Sequence, residues 1–346
     1  MATTLSEVYG DTPLQLKHIV PLDFDSIRHL PDSHVWTEPV DLSSKKNVHE
    51  SDIVPIVDMT APNVVELVGN ACRKWGMFQV TNHGVPSGLL GDAESHARRL
   101  FALPAEQKLK ALRSPGGATG YGLARISPFF SKLMWHEGFT IMGASAVDHA
   151  KLLWPHDYEA FCNAMDNYQK EMKSLAYKIL VLILESLKAK DEETLISSTV
   201  SSEGALQLNS YPCCPNGHNQ AIGLVPHTDS LLLTILHQND TEGLQVFREN
   251  AGWITAPPVS GALVVNIGDL LHIVSNGQFP TVYHRVVPNE TRHRFSMAFF
   301  CGPQGDSLVA PMSNLGSPRY RSVTVKEYLS IKNKHLEKAI PLLKTA

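Results

Sequence analysis

Cysteine is sparse in this sequence of 346 residues: there are five, Cys72, Cys162, Cys213, Cys214 and Cys301. Their number is odd and none is spaced Cys-x-x-Cys, which excludes a disulfide framework or a thiolate zinc site as the first expectation and favours a reducing compartment. Charge of one sign is lacking too. The 30 Lys and Arg against 34 Asp and Glu leave a net charge of −4, which argues against a general binder of nucleic acid or of anionic membranes. Charged residues make up only 18%, below the usual ~25%, and this leaves room for a large buried fraction or an apolar pocket. No apolar run reaches the roughly 18 residues of a membrane span, and residues 1–15 show no basic stretch followed by an apolar one. A soluble, cytoplasmic protein acting on a small molecule is expected. Gly116-Gly117 and the later glycines do not form a strand-to-helix Gly-x-Gly-x-x-Gly, so a dinucleotide site has little support.

Periodicity divides what is there. Residues 1–50 are mixed and read as an irregular lead-in. Residues 53–58 resemble a strand, 64–75 a helix ending near Gly76, 77–80 a second strand and 87–101 a second helix. Apolar residues at Phe161, Met165, Tyr168, Met172, Leu175, Ile179, Ile183 and Leu187 follow a three-and-four spacing that predicts a long amphipathic helix. From residue 205 to 300 the chain changes to short β-rich runs, at 231–236, 244–247, 263–267 and 295–300, separated by turn residues such as Asn239-Asp240 and Asn276-Gly277. Short strands punctuated in this way suggest a jelly roll or barrel. The expected division is a lead-in at 1–50, an N-terminal region with support helices at 51–200, a β core at 201–304 and a helical segment at 305–346.

Within the β-rich part, His227-Thr228-Asp229 places two potential ligands on one side of an extended segment, and His284 follows in a later strand. Two imidazoles and one carboxylate can occupy one face of Fe(II) and leave the opposite positions open for a chelating 2-oxo acid and O2. Arg294-Phe295-Ser296 then offers a guanidinium and a hydroxyl on one strand face. A second carboxylate of the 2-oxo acid calls for such a fixed cation, which grips it through two parallel charge-assisted bonds. Taken singly, any of the 16 histidines is better explained by a surface or core role. The combination reverses that preference. His272 and His83 read as structural, and Cys213-Cys214 as a pair of thiols.

These residues, with Asn209-Ser210-Tyr211-Pro212-Cys213-Cys214-Pro215, Pro55-Ile56-Val57-Asp58 and the stretch from Trp75 to Val85, resemble the plant Fe(II)/2-oxoglutarate-dependent dioxygenases over most of the chain. Cys213 stands where that family usually has another Pro. The resemblance implies a mainly β core with flanking helices, a double-stranded β-helix (jelly roll, cupin-like), beside a mixed α/β N-terminal region. It implies Fe(II) on His227, Asp229 and His284, and 2-oxoglutarate held by Asn209, Tyr211, Arg294 and Ser296, with Arg294 also serving catalysis. Ascorbate would be the reductant, and succinate and CO2 the coproducts of an oxygen-dependent hydroxylation.

A narrower resemblance is carried by Gly120-Tyr121-Gly122-Leu123-Ala124-Arg125-Ile126, by residues 129–140 with their Met134-Trp135-His136-Glu137-Gly138-Phe139-Thr140, and by Leu153-Trp154-Pro155. It is to the gibberellin 3-oxidases, which hydroxylate the 3β position of hormone precursors. Phe129, Phe130, Met134 and Trp135 would then offer apolar area to a rigid diterpenoid skeleton, Arg125 or Lys132 would meet its carboxylate, and Tyr121 is a further candidate for substrate contact. A gibberellin 2-oxidase or a flavonoid-type hydroxylase is the rival enzyme, and a non-catalytic binding jelly roll the rival of another class. A monomer is expected, with a small-molecule gibberellin substrate and O2 as partners and neither nucleic acid nor membrane among them.

Overall fold

The three-and-four apolar spacing after residue 158 becomes a helix of 29 residues, Tyr158–Ser186, whose Phe161, Met165, Tyr168, Met172, Leu175, Ile179 and Ile183 are all buried. Each such side chain contributes roughly 1.5–3 kcal/mol on burial. That stripe is long enough to organise the helices on one side of a large sheet. The computed structural model describes residues 13–36, 53–143, 145–189, 192–200, 202–214 and 218–345. Most of the expected lead-in, and Pro215 of the Asn209–Pro215 motif, lie outside the described residues.

The first part of the chain runs β1 (Ile56–Asp58), α1 (Val64–Lys74), β2 (Met77–Thr81), α2 (Ser87–Phe101), α3 (Ala105–Leu109), β3 (Gly120–Gly122) and β4 (Glu137–Ile141). Three helices follow, α4 (Ser145–Leu153), α5 (Tyr158–Ser186) and α6 (Glu192–Val200). The β-rich part comprises β5 (Ala205–Tyr211), β6 (Leu224–His227), β7 (Leu233–Gln238), β8 (Leu244–Arg248), β9 (Gly252–Thr255) and β10 (Leu263–Ile267). It closes with α7 (Asp269–Val274), β11 (His284–Val286), β12 (Arg294–Cys301), β13 (Leu308–Val309), β14 (Val323–Thr324) and α8 (Val325–His335).

Eight strands form one sheet in the order β1-β2-β10-β7-β12-β5-β4-β3, and β6-β11-β8-β9 form a second. The strands of the N-terminal region thus flank both edges of the sheet that carries β5, β7, β10 and β12. Among the described residues, β1 against β2 is the only parallel strand pair. Between the two sheets, Tyr211, Leu236, Val264 and Ala298 of the first meet Leu244, Val246 and Val286 of the second, the interior of a jelly roll. The opposite face of the large sheet packs on α5 and its neighbours in a second, larger core. Gly76 stops α1 at positive φ (+68°), and a Cβ there would collide with the Pro280 carbonyl. That stop lets β2 begin one residue later. No helix of the described residues is long and apolar enough to cross a membrane.

The strands expected at 263–267 and 295–300 appear as β10 and, one residue longer at each end, β12, while the run expected at 231–236 begins two residues later as β7. Leu231 and Leu232 are instead drawn into the turn after the His-Thr-Asp motif, where the Leu232 N–H donates to the Cys301 carbonyl at 3.0 Å.

Candidate metal and cosubstrate centre

Strand pairing brings the metal candidates together. His227 ends β6 and His284 opens β11, and the antiparallel register sets them directly opposite each other, with ring centroids 4.3 Å apart. Each ring is turned by its own backbone. His227 Nδ1–H donates to the Val225 carbonyl at 2.8 Å and His284 Nδ1–H to the Val282 carbonyl at 3.1 Å. Both Nε2 lone pairs are thereby left for a shared centre. Asp229 Oδ1 completes the set, 3.7 Å from His227 Nε2 and 3.9 Å from His284 Nε2, with all three ligand atoms within 4.8 Å of one another. Its other oxygen accepts from Asn266 Nδ2 at 3.1 Å, which fixes the carboxylate rotamer.

The charges suit a cation. Burial, with His284 beside it, drives the His227 pKa down, so the imidazole is neutral and free to coordinate. For Asp229, burial raises the pKa, but the two imidazoles and hydrogen bonds from Thr234 and Asn266 outweigh it and hold the carboxyl ionised. Two imidazole nitrogens and one carboxylate on a buried face fit Fe(II).

The cosubstrate candidates follow from one ladder. In the β5–β12 pairing Arg294 lies opposite Tyr211 and Ser296 opposite Asn209, so all four point to one side. Arg294 is fully buried. Its Nη2 donates to Gln238 Oε1 at 2.7 Å and its Nη1 to Ser296 Oγ at 3.4 Å, and its Nε has no partner. No carboxylate pairs with it among the described residues. A buried guanidinium without a counter-charge is costly, and an anionic ligand in the cavity would relieve it. The Tyr211 phenol, pushed up to about 12 by burial against the opposing pull of Arg294, stays protonated beside it. Gly243 makes space for this arginine: at φ +152° its absent Cβ would sit 3.0 Å from Arg294 Cδ and 2.6 Å from the Val287 carbonyl.

His227, Asp229, His284, Asn209, Tyr211, Arg294 and Ser296 all line one cavity of about 250 Å³ between the sheets. Of the residues expected to meet substrate, only Arg125 lines it, with Ala124 and Ile126 on either side. The others are placed elsewhere. Tyr121 is buried and donates to Glu137 Oε2 at 2.6 Å, where Lys108 Nζ also arrives at 2.7 Å. Phe129 is the last residue of a 3-10 turn and is 41% exposed. Phe130 packs on Trp36, Lys132 donates to the Asp32 carbonyl at 2.8 Å, and Trp135 stacks edge-on against Phe24 and donates to the Pro212 carbonyl at 2.9 Å. The reason is physical. The lead-in, read as irregular, lies across this stretch and takes up its aromatic surface through Leu22, Phe24, Ile27, Leu30 and Trp36.

The signature stretch 134–140 therefore works mostly from behind. Strand alternation sends Glu137 and Phe139 away from the cavity, while His136 donates from Nε2 to Asn209 Oδ1 at 3.0 Å and lies over the Tyr211 ring at 5.1 Å. Thr140 and Met142 do reach the cavity. Sequence reasoning also passed over Arg113 and the α8 side chains Leu329, Lys332 and Asn333, which line the cavity with the following Leu336. The three-and-four spacing of Leu329, Lys332 and Leu336 was the available signal.

A jelly roll with two histidines and a carboxylate facing a buried arginine defines a non-haem, 2-oxo-acid-dependent oxygenase. The chain belongs to the 2OG-Fe(II) oxygenase superfamily: that family's model matches residues 202–303, and the model of the non-haem dioxygenase in morphine synthesis N-terminal matches residues 54–159. Among its relatives, Gibberellin 3-beta-dioxygenase 1 of Pisum sativum is 49% identical, over 97% of this chain and 92% of its own length. Gibberellin 3-beta-dioxygenase 1 of Arabidopsis thaliana is 46% identical, over 99% of both. The crystal structure of JOX2 in complex with 2OG, Fe and JA superposes with a TM-score of 0.76 at 29% identity, covering 93% of this chain and 95% of that one.

Proposed function

We propose that this protein hydroxylates gibberellin precursors at the 3β position, using Fe(II), 2-oxoglutarate and O2 and releasing succinate and CO2. The observation that carries the substrate is the 49% identity with a gibberellin 3-beta-dioxygenase over 97% of the chain. The site supports the chemistry. His227, Asp229 and His284 would hold Fe(II), which supplies oxygen activation when bound. Arg294 would grip the distal carboxylate of 2-oxoglutarate, with Ser296, Tyr211 and Asn209 donating beside it. His136 keeps the Asn209 amide oxygen turned inward, away from the ligand. Apolar side chains such as Ile126, Met142 and Leu329 would exclude water from around the diterpenoid skeleton, and Arg125 would meet its carboxylate. Regiochemistry depends on which C–H bond the wall aims at the metal, to within about an ångström.

The accompanying proposals are ascorbate as the reductant and a monomer working in the cytoplasm without nucleic-acid or membrane partners. The net charge of −4 and the absence of paired cysteine spacing support this setting. The chain is proposed to divide into a lead-in at 1–50, an N-terminal region at 51–200, the jelly-roll core at 201–304 and a C-terminal helical segment at 305–346, with β1 to β4 of the N-terminal region pairing into the sheet of the core. Incubation of the purified chain with gibberellin precursors, Fe(II), 2-oxoglutarate and ascorbate tests the proposal. A 3β-hydroxylated product with matching succinate is expected. A 2β product would overturn the substrate reading, and succinate uncoupled from any product would overturn the hydroxylase reading.

A further inference from the structure

Thr228, between the two motif ligands, is not idle. Its hydroxyl accepts from Lys332 Nζ at 2.5 Å and donates to Asp269 Oδ2 at 3.2 Å. The same Asp269 oxygen accepts from Lys332 Nζ at 2.5 Å and from the Tyr328 hydroxyl at 2.5 Å. Asp269 is wholly buried, and its backbone N–H donates to the Asp229 carbonyl at 2.8 Å. One residue therefore holds the motif by its main chain and its side chain together. Gly268 permits this approach, since a Cβ there would collide with the Leu231 carbonyl and lie 3.2 Å from that of Asp229.

Both Tyr328 and Lys332 come from α8, far from the motif in sequence. The helix does not need the ion pair in order to dock: Val325, Tyr328 and Leu329 are buried, and Thr324 caps its first turn by accepting from the Glu327 N–H at 3.1 Å. A buried salt bridge also tends to contribute no more stability than apolar side chains of the same volume. What this one supplies is position. We propose that α8 forms part of the support of the metal centre, with Lys332 as a positioning residue that acts through Thr228 and Asp269 to hold the 227–229 turn in the geometry that metal binding requires.

This inference rests on reading His227, Asp229 and His284 as metal ligands, and the test separates the two. The full chain is stripped of metal and titrated with Co(II), recording the dissociation constant, the ligand-field absorption bands and the thermal unfolding of the apoprotein. Outer partners of metal ligands typically account for 10–100-fold in affinity. Lys332→Met is expected to weaken Co(II) binding by about that factor and to shift the bands. Tyr328→Phe, which keeps the ion pair, should weaken binding several-fold, and Lys332→Arg should recover most of what Lys332→Met loses. Lys334→Met, on the exposed side of α8, should match the wild type. Should Lys332→Met fail to fold, Tyr328→Phe decides. Lower unfolding temperatures with wild-type Co(II) affinity and bands would make the network merely structural and overturn the inference. A wild-type chain that takes up no Co(II) would overturn the ligand reading and this inference with it.

Discussion

The proposed metal and cosubstrate end of the cavity is assembled from strands β5, β6, β11 and β12 and the turn after β6, whereas a second part of its wall is drawn from Arg113, the 124–126 turn, Met142 and α8. At the first end, sheet hydrogen bonds dictate which side chains meet: His227 faces His284 and Arg294 faces Tyr211 because the ladders pair them. At the second, loops and a helix bring together side chains that no ladder relates. The difference teaches how such a fold can keep its chemistry while its substrate changes. The reacting end is tied to the sheet register and, through Lys332, to α8, while the remaining wall can be altered residue by residue without disturbing it.

The largest effect should come from the register-built end. His284→Ala is expected to abolish metal binding and turnover while far-UV circular dichroism stays that of the wild type; surviving turnover without added ligands would break the comparison at once. Arg294→Ala should cost about 1.5–3 kcal/mol for a lost charged hydrogen bond, seen as a ten- to hundredfold rise in KM for 2-oxoglutarate at unchanged substrate KM.

His136 sharpens the contrast, because it belongs to the substrate signature in sequence and to the cosubstrate end in space. Burial drives its pKa down to about 4, so the folded chain keeps it neutral while the unfolded chain takes up a proton near pH 6.5. Stability should therefore fall as pH drops below about 6.5 and level off below about 4. The loss between pH 7 and 5 is about 2 kcal/mol from this residue. Denaturant unfolding at the two pH values measures it, and His136→Gln should flatten the slope; an unchanged slope would remove His136 from that role.

On the wall, Arg125→Ala should raise the substrate KM about tenfold, as expected for one charge-assisted contact, and leave the 2-oxoglutarate KM alone. Phe129→Ala, at an exposed turn, should change kcat/KM by no more than about twofold. If Phe129 proved the more important of the two, the wall drawn here would be the wrong one.

The same contrast explains what the sequence made legible. His227 with Asp229, and Arg294 with Ser296, could be singled out because strand alternation and a short spacing carry each relationship along the chain, and His284 joined them only through the combination. The helix at 158–186 was legible because a three-and-four stripe needs no partner to be recognised. Tyr121, Phe129, Phe130, Lys132 and Trp135 looked like a pocket lining because aromatic and basic residues suit a diterpenoid acid. What claims Phe130, Lys132 and Trp135 is another segment, the lead-in, and no local pattern in residues 120–140 announces it; Tyr121 turns to Glu137 instead, and Phe129 to the surface. Lys332 and Asp269 went unread for a similar cause. Their pairing is a matter of where α8 docks, which composition and periodicity leave open.

The lead-in has a practical corollary for anyone handling the protein. Residues 13–36 contain no strand or long helix, and they look expendable to a designer trimming the chain for expression. Removing them would uncover the apolar side chains of Trp135, Met134, Phe130 and Ala221. Apolar area laid bare in this way promotes self-association, so the shortened protein should precipitate even though every residue of the reacting centre is still in place.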